Sequence, residues 1–173
     1  VLSISITSRC DLRCTYCYSL EDNRRAKDVP LEEVLRTIDE FYRLGTRVVL
    51  LQGGEPLLHE GLDAIVDHVK AKKMYCAITT NATHFEKRLA VLKKVDQVQL
   101  SIDGDREVTD KNRGVGVYDA IVKAAKLCHE NKIRFHLHHE QCQIAGFCSF
   151  PYAWEFEYLF CMGSKDFSAD CQN

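Results

Sequence analysis

The sequence predicts an α/β fold built on a parallel sheet, on three observations. Short apolar or alternating runs recur along the chain, segments with apolar residues at helical spacing separate them, and sequences rich in Gly, Cys or Asn stand just after the runs. Leu2, Ile4 and Ile6 alternate with Ser3, Ser5 and Thr7, the period of a first strand. A cysteine loop follows. Leu31, Val34, Leu35, Ile38 and Phe41 then recur at helical spacing, with Pro30 at the entry and Gly45 at the exit. Val48 to Leu51 is a continuous apolar run, as expected of a buried parallel strand, and Gly53-Gly54-Glu55-Pro56 breaks it.

Leu62, Ile65, Val66 and Val69 mark a second helix. Tyr75 to Thr79 reads as a third strand, ended by Thr80-Asn81-Ala82-Thr83, and a helix is expected from Phe85 to Lys94. Gln97 to Ile102 is a fourth strand leading to Asp103-Gly104. Ile121, Ala124, Ala125 and Cys128 mark a further helix, and Ile133 to Leu137 a fifth strand. Phe147 to Phe150 reads as a sixth strand. Yet Glu140 to Gly146 is too short for a helix with its loops, which takes about 10–12 residues. The chain starts at Val1 inside a strand and stops at Asn173 in a cysteine-bearing segment, which reads as part of a longer protein. In a parallel sheet every strand's C-terminal end lies on one edge, so the unusual sequences are expected to converge there.

Composition bounds the function. The 173 residues suffice for one domain with a core, and 46% of them are hydrophobic, as in a soluble globular protein. A formal net charge of −2 announces no nucleic-acid partner. No apolar stretch approaches the roughly 18 residues of a membrane span, and the sequence shows no signal-peptide pattern. Nine cysteines are an odd number for a disulfide framework; their tight cluster argues for metal ligation in a reducing, cytoplasmic setting.

That cluster is Cys10-Asp11-Leu12-Arg13-Cys14-Thr15-Tyr16-Cys17. It offers three thiolates from one loop and no evident fourth. A cubane cluster takes four cysteines, so three leave one iron open to another ligand, as reactive metal sites require. Zinc is the alternative, but structural zinc sites pair two short ligand elements, and no second element of suitable spacing follows. The C-x3-C-x2-C spacing resembles that of the radical S-adenosylmethionine (radical SAM) enzymes. So do Gly53-Gly54-Glu55-Pro56, Thr79-Thr80-Asn81-Ala82-Thr83, Ser101-Ile102-Asp103-Gly104 and Asn112-Arg113-Gly114, in order, over residues 2–137.

The resemblance implies a partial (β/α)6 barrel over residues 1–150, incomplete at its C-terminal end, with 151–173 as an irregular segment. It implies a [4Fe-4S] cluster on Cys10, Cys14 and Cys17, whose open iron is chelated by S-adenosylmethionine. The reduced cluster then cleaves that molecule to a 5′-deoxyadenosyl radical, which acts on a small-molecule or peptide substrate, with peptide modification favoured. A flavodoxin- or ferredoxin-like protein supplies the electron. Tyr16 takes a position near the adenine or packs the loop; Gly53 and Gly54 allow close backbone approach. Glu55 accepts from the cofactor ammonium, and Asn81 belongs to a cofactor-side turn where Ala82 replaces the common glycine. Ser101 reaches the cofactor carboxylate or ribose, Asp103 contributes to the site or caps the loop, and Arg113 pairs with the cofactor carboxylate or lies solvated at the surface.

His136 and His138 share one strand face and His139 the other, reading as pocket lining rather than metal ligands. Cys161-Met162-Gly163 faintly resembles the start of an auxiliary iron–sulfur cluster region of the SPASM type; buried or unpaired thiols are the alternative for Cys142, Cys148, Cys161 and Cys171. A reading from another class is an iron–sulfur electron carrier without catalysis. It requires a fourth cluster ligand and no cofactor-binding loops.

Overall fold

A computed structural model describes residues 1–17 and 27–138. The elements run β1 (Leu2–Thr7), α1 (Leu31–Arg43), β2 (Val48–Gly53), α2 (Leu62–Ala71), β3 (Tyr75–Thr80), α3 (Leu89–Leu92), β4 (Gln97–Ser101), α4 (Arg106–Arg113), α5 (Val117–Glu130) and β5 (Phe135–His138). The five strands form one sheet in the order β1-β2-β3-β4-β5, and every pair is parallel. A sheet whose strands add in sequence order, without reversal, grows as a barrel wall does.

One strand face is apolar and buried under the helices. Leu2, Ile6, Val49, Leu51, Cys76, Ile78, Val98 and Leu100 share a core with Val34 and Ile38 of α1, Ile65 and Val69 of α2, and Ile121 and Ala125 of α5. The other face alternates with it, as the period of two demands. It carries Ser5 opposite Gln52, Thr79 opposite Gln99, and Gln99 opposite His136, so the inner wall is polar.

Two elements depart from the sequence expectation. The helix expected over Phe85 to Lys94 is a 3₁₀ turn, Glu86–Arg88, followed by the four residues of α3. Arg88 leaves the helical region at φ −109°, and its guanidinium reaches back to Leu57 O at 2.9 Å and His59 O at 3.2 Å. Helix α4 was not expected, because it has no apolar stripe. Asp105 caps it by accepting from Val108 N at 3.0 Å, and the residues it buries are Thr109 and Arg113. The sixth strand, the boundary near residue 150, His139, and Cys142, Cys148, Cys161 and Cys171 lie outside the described residues.

Candidate active site

The cysteine loop leaves the C-terminal end of β1 and is tied to the ends of β2, β3 and β4 in turn. At β2, Gly54 N donates to Thr7 O at 2.8 Å and Glu55 N to Arg9 O at 2.7 Å. The contact is so close that a Cβ on Gly53 would stand 2.3 Å from Thr7 O, and one on Gly54 2.3 Å from Arg9 O. Gly53 also has φ +152°. The close approach these glycines allow is thus to the chain's own β1, directly before Cys10.

At β3, the Asn81 amide reaches the loop, with Nδ2 3.0 Å from Asp11 Oδ1 and 3.9 Å from Cys10 Sγ. Leu12 N points at Cys10 Sγ at 3.4 Å. The positive φ of Ala82, 71°, completes the turn where a glycine was the expected residue. At β4, the Tyr16 hydroxyl lies 2.7 and 2.8 Å from the two Asp103 carboxylate oxygens, and Thr15 N donates to Asn112 O at the end of α4. Arg113 Nη2 donates to Asp103 Oδ1 at 2.7 Å.

Most of the residues singled out from the sequence therefore meet. Cys10, Cys14, Tyr16, Gly53, Gly54, Asn81, Ser101 and Arg113 line one cleft at the C-terminal edge of the sheet. Glu55 and Asp103 are buried, at 0% and 3% exposure, and do not line it. Cys17 stands on the same loop, its N–H donating to Cys14 O. Gln52, Thr79 and Thr80 also line the cleft; Gln52 was not singled out, and Thr79 and Thr80 were named only as part of a motif, without a role. The signal was present: Gln52 precedes Gly53 and Thr79 precedes Thr80-Asn81 on the polar side of the strand alternation. His136 and His138 lie on the inner face of β5, His136 Nδ1 bonded to Gln97 Nε2 at 2.9 Å. Burial lowers the His136 pKa, with the neighbouring His138 adding to it.

The Glu55 carboxylate is engaged by the protein itself. Oε1 accepts from Leu57 N at 3.0 Å and Thr80 Oγ1 at 2.7 Å, and Oε2 accepts from Asn81 N at 2.8 Å. It thereby clasps the ends of β2 and β3. Burial nevertheless pushes its carboxyl up to about 7, because the hydrogen bonds that favour the charged form do not offset the loss of water.

The donor set fits an iron–sulfur cluster. Cys10, Cys14 and Cys17 are free, half-buried thiols on one short loop, with N–H groups of Leu12 and Asn81 aimed at Cys10 sulfur. Among the described residues no three His, Cys, Asp or Glu side chains stand close enough to hold a single ion. Thiolates on different irons of a cubane stand farther apart than ligands on one ion. Burial pushes the Cys10 thiol up to about 11 and raises Cys14 as well.

Known proteins resemble this chain in sequence and in fold. The chain is 34% identical over 142 residues to the Fe-coproporphyrin III synthase of Methanosarcina barkeri, a match covering 75% of this chain and 34% of that protein. It is 38% identical over 140 residues to the GTP 3′,8-cyclase of Corynebacterium glutamicum, covering 69% and 36% respectively. The chain spans about a third of the length of these curated relatives. Among solved structures, native anSMEcpe with bound AdoMet and Cp18Cys peptide superposes with a TM-score of 0.63 at 26% identity, over 79% of this chain and 42% of that one. Streptococcus suis SuiB bound to the precursor peptide SuiA shares the fold, with a TM-score of 0.71 at 24% identity over 80% and 32%. The Radical SAM superfamily matches residues 4–139, the segment that carries the five strands and the cysteine loop, and the chain belongs to that superfamily.

Proposed function

We propose that this chain is the cofactor-handling part of a radical SAM enzyme. In this reading Cys10, Cys14 and Cys17 hold the [4Fe-4S] cluster and S-adenosylmethionine occupies the adjoining cleft; both are cofactors of the superfamily. The observation that carries it is the convergence of the three-thiol loop with Gly53-Gly54, Asn81 and Ser101 on one cleft. Together the two cofactors supply radical chemistry at an unactivated carbon. The protein's own work is positioning. Asn81 and Glu55 fix the loop against β2 and β3, and Ser101 presents a hydroxyl at the cleft for the carboxylate or ribose of the cofactor. Arg113 presents a guanidinium, and Tyr16 an aromatic ring.

The substrate reading has two arms. A peptide is favoured by the peptide-bound anSMEcpe structure and by the neutral polar inner wall of Ser5, Gln52, Thr79, Gln99 and His136, which offers hydrogen bonds suited to amides. A small molecule is favoured by the synthase and cyclase relatives, whose identity to this chain is higher. A flavodoxin- or ferredoxin-like reductant in the cytoplasm completes the proposal; the free thiols Cys10, Cys14, Cys17, Cys76 and Cys128 suit such a reducing setting. No helix among the described residues is long and apolar enough to cross a membrane.

The test is reductive cleavage without substrate. The full-length protein, reconstituted anaerobically and given dithionite, is expected to convert S-adenosylmethionine slowly to 5′-deoxyadenosine and methionine. The Cys14→Ala variant is expected to lose both iron and cleavage. A reducible cluster that yields no 5′-deoxyadenosine would leave the electron-carrier reading in its place.

A further inference from the structure

Beside Cys14 the fold buries a cation. Arg113 is 6% exposed and lines the cleft with Cys10 and Cys14. It pairs with Asp103, itself buried, and the Tyr16 hydroxyl holds the same carboxylate. Its guanidinium stands 5.6 Å from the centre of the Tyr16 ring. One of its donors, Nε, is buried and has no acceptor among the described residues.

The pair is also oriented. Arg113 lines the cleft together with Cys10 and Cys14, whereas Asp103 is buried and does not line it. The cationic end of the pair thus faces the cysteine more strongly than the anionic end. The loop's own charges, Asp11 and Arg13, are exposed, and water weakens their action. Asp11 is further engaged by Asn81 and His84. Arg9 is paired with Asp28.

We propose that the Asp103–Arg113 pair, fixed by Tyr16, sets the reduction potential of the cluster: Arg113 stabilises the added electron, and Asp103 limits and directs that charge. Arg113 is here a positioning and tuning residue. The proposal rests on the reading that Cys10, Cys14 and Cys17 hold a cluster, and it adds a role that a contact with the cofactor carboxylate does not require.

The test is the midpoint potential of the reconstituted cluster in the full-length protein. It is measured by EPR-monitored titration without S-adenosylmethionine, so that no carboxylate contact enters. Arg113→Gln is expected to shift the potential to more negative values, and Asp103→Asn to less negative ones. The double variant is expected to return close to wild type, since it removes both charges together. Arg113→Lys, which keeps the charge but not the fork, is expected to stay near wild type. If Arg113→Gln fails to assemble a cluster, Asp103→Asn and Arg113→Lys still decide. Clusters of full iron content with wild-type potential in Asp103→Asn would overturn the proposal and leave the pair as a loop fastener. So would an Arg113→Lys potential far from wild type. A wild-type protein that takes up no cluster would overturn the underlying reading instead.

Discussion

Both oxygens of Glu55 accept hydrogen bonds from the chain itself, so its first effect is on the fold. Replacing the carboxylate by an amide puts a donor where Asn81 N–H or another donor needs an acceptor, at a cost of about 1–3 kcal/mol. The cost depends on pH. Burial raises the folded-state carboxyl to about 7 from the ordinary 4.5, so between these values the folded chain keeps a proton that the unfolded chain has lost. That contribution to stability is fully present below about 4.5, declines as pH rises, and is gone above about 7. The E55Q variant lacks this slope. Urea unfolding of the metal-free protein at pH values across the window should show wild-type stability falling relative to E55Q as pH rises. Parallel curves for the two proteins would contradict it.

At the scale of elements, the junction of β1 and β2 sets the start of the cysteine loop. Gly54→Ala drives a Cβ to 2.3 Å from Arg9 O, which is backbone and cannot rotate away. The two strand ends must part, and overpacking of this kind costs about 1–3 kcal/mol. Because Arg9 precedes Cys10, the displacement passes directly to the first cysteine of the loop. The expected outcome is lower thermal stability together with fewer irons per chain after reconstitution, measured by colorimetric iron assay. Wild-type iron content in a destabilised G54A protein would show that the loop is set elsewhere. Helix α4 works at the same scale from the opposite side. Its capped start follows the end of β4, and its last residues bring Asn112 to Thr15 and Arg113 to Asp103.

The molecule as a whole was legible where sequence period and burial coincide. The five strands and the long helices α1, α2 and α5 carry unbroken apolar patterns, and the parallel order follows from their alternation. The convergence of motifs was legible for the same reason: all stand at C-terminal strand ends. Helix α4 was not, because its inward side is Thr109 and Arg113 and it has no apolar stripe to detect. The Tyr16–Asp103–Arg113 contact was not legible either. Tyr16 and Asp103 are 87 positions apart, and only the packing of the loop on β4 and α4 makes them neighbours. Nor does sequence tell which way a carboxylate turns; Glu55 follows a Gly-Gly pair that lines the cleft, yet points into the protein.

The central claim is that three cysteines leave one iron open beside a cleft that holds S-adenosylmethionine. The measurement closest to it is the EPR spectrum of the dithionite-reduced, reconstituted full-length protein, recorded with and without S-adenosylmethionine. The account predicts a [4Fe-4S]⁺ signal whose shape changes when the molecule is added, because it ligates the open iron. Identical spectra from a fully loaded cluster would contradict it.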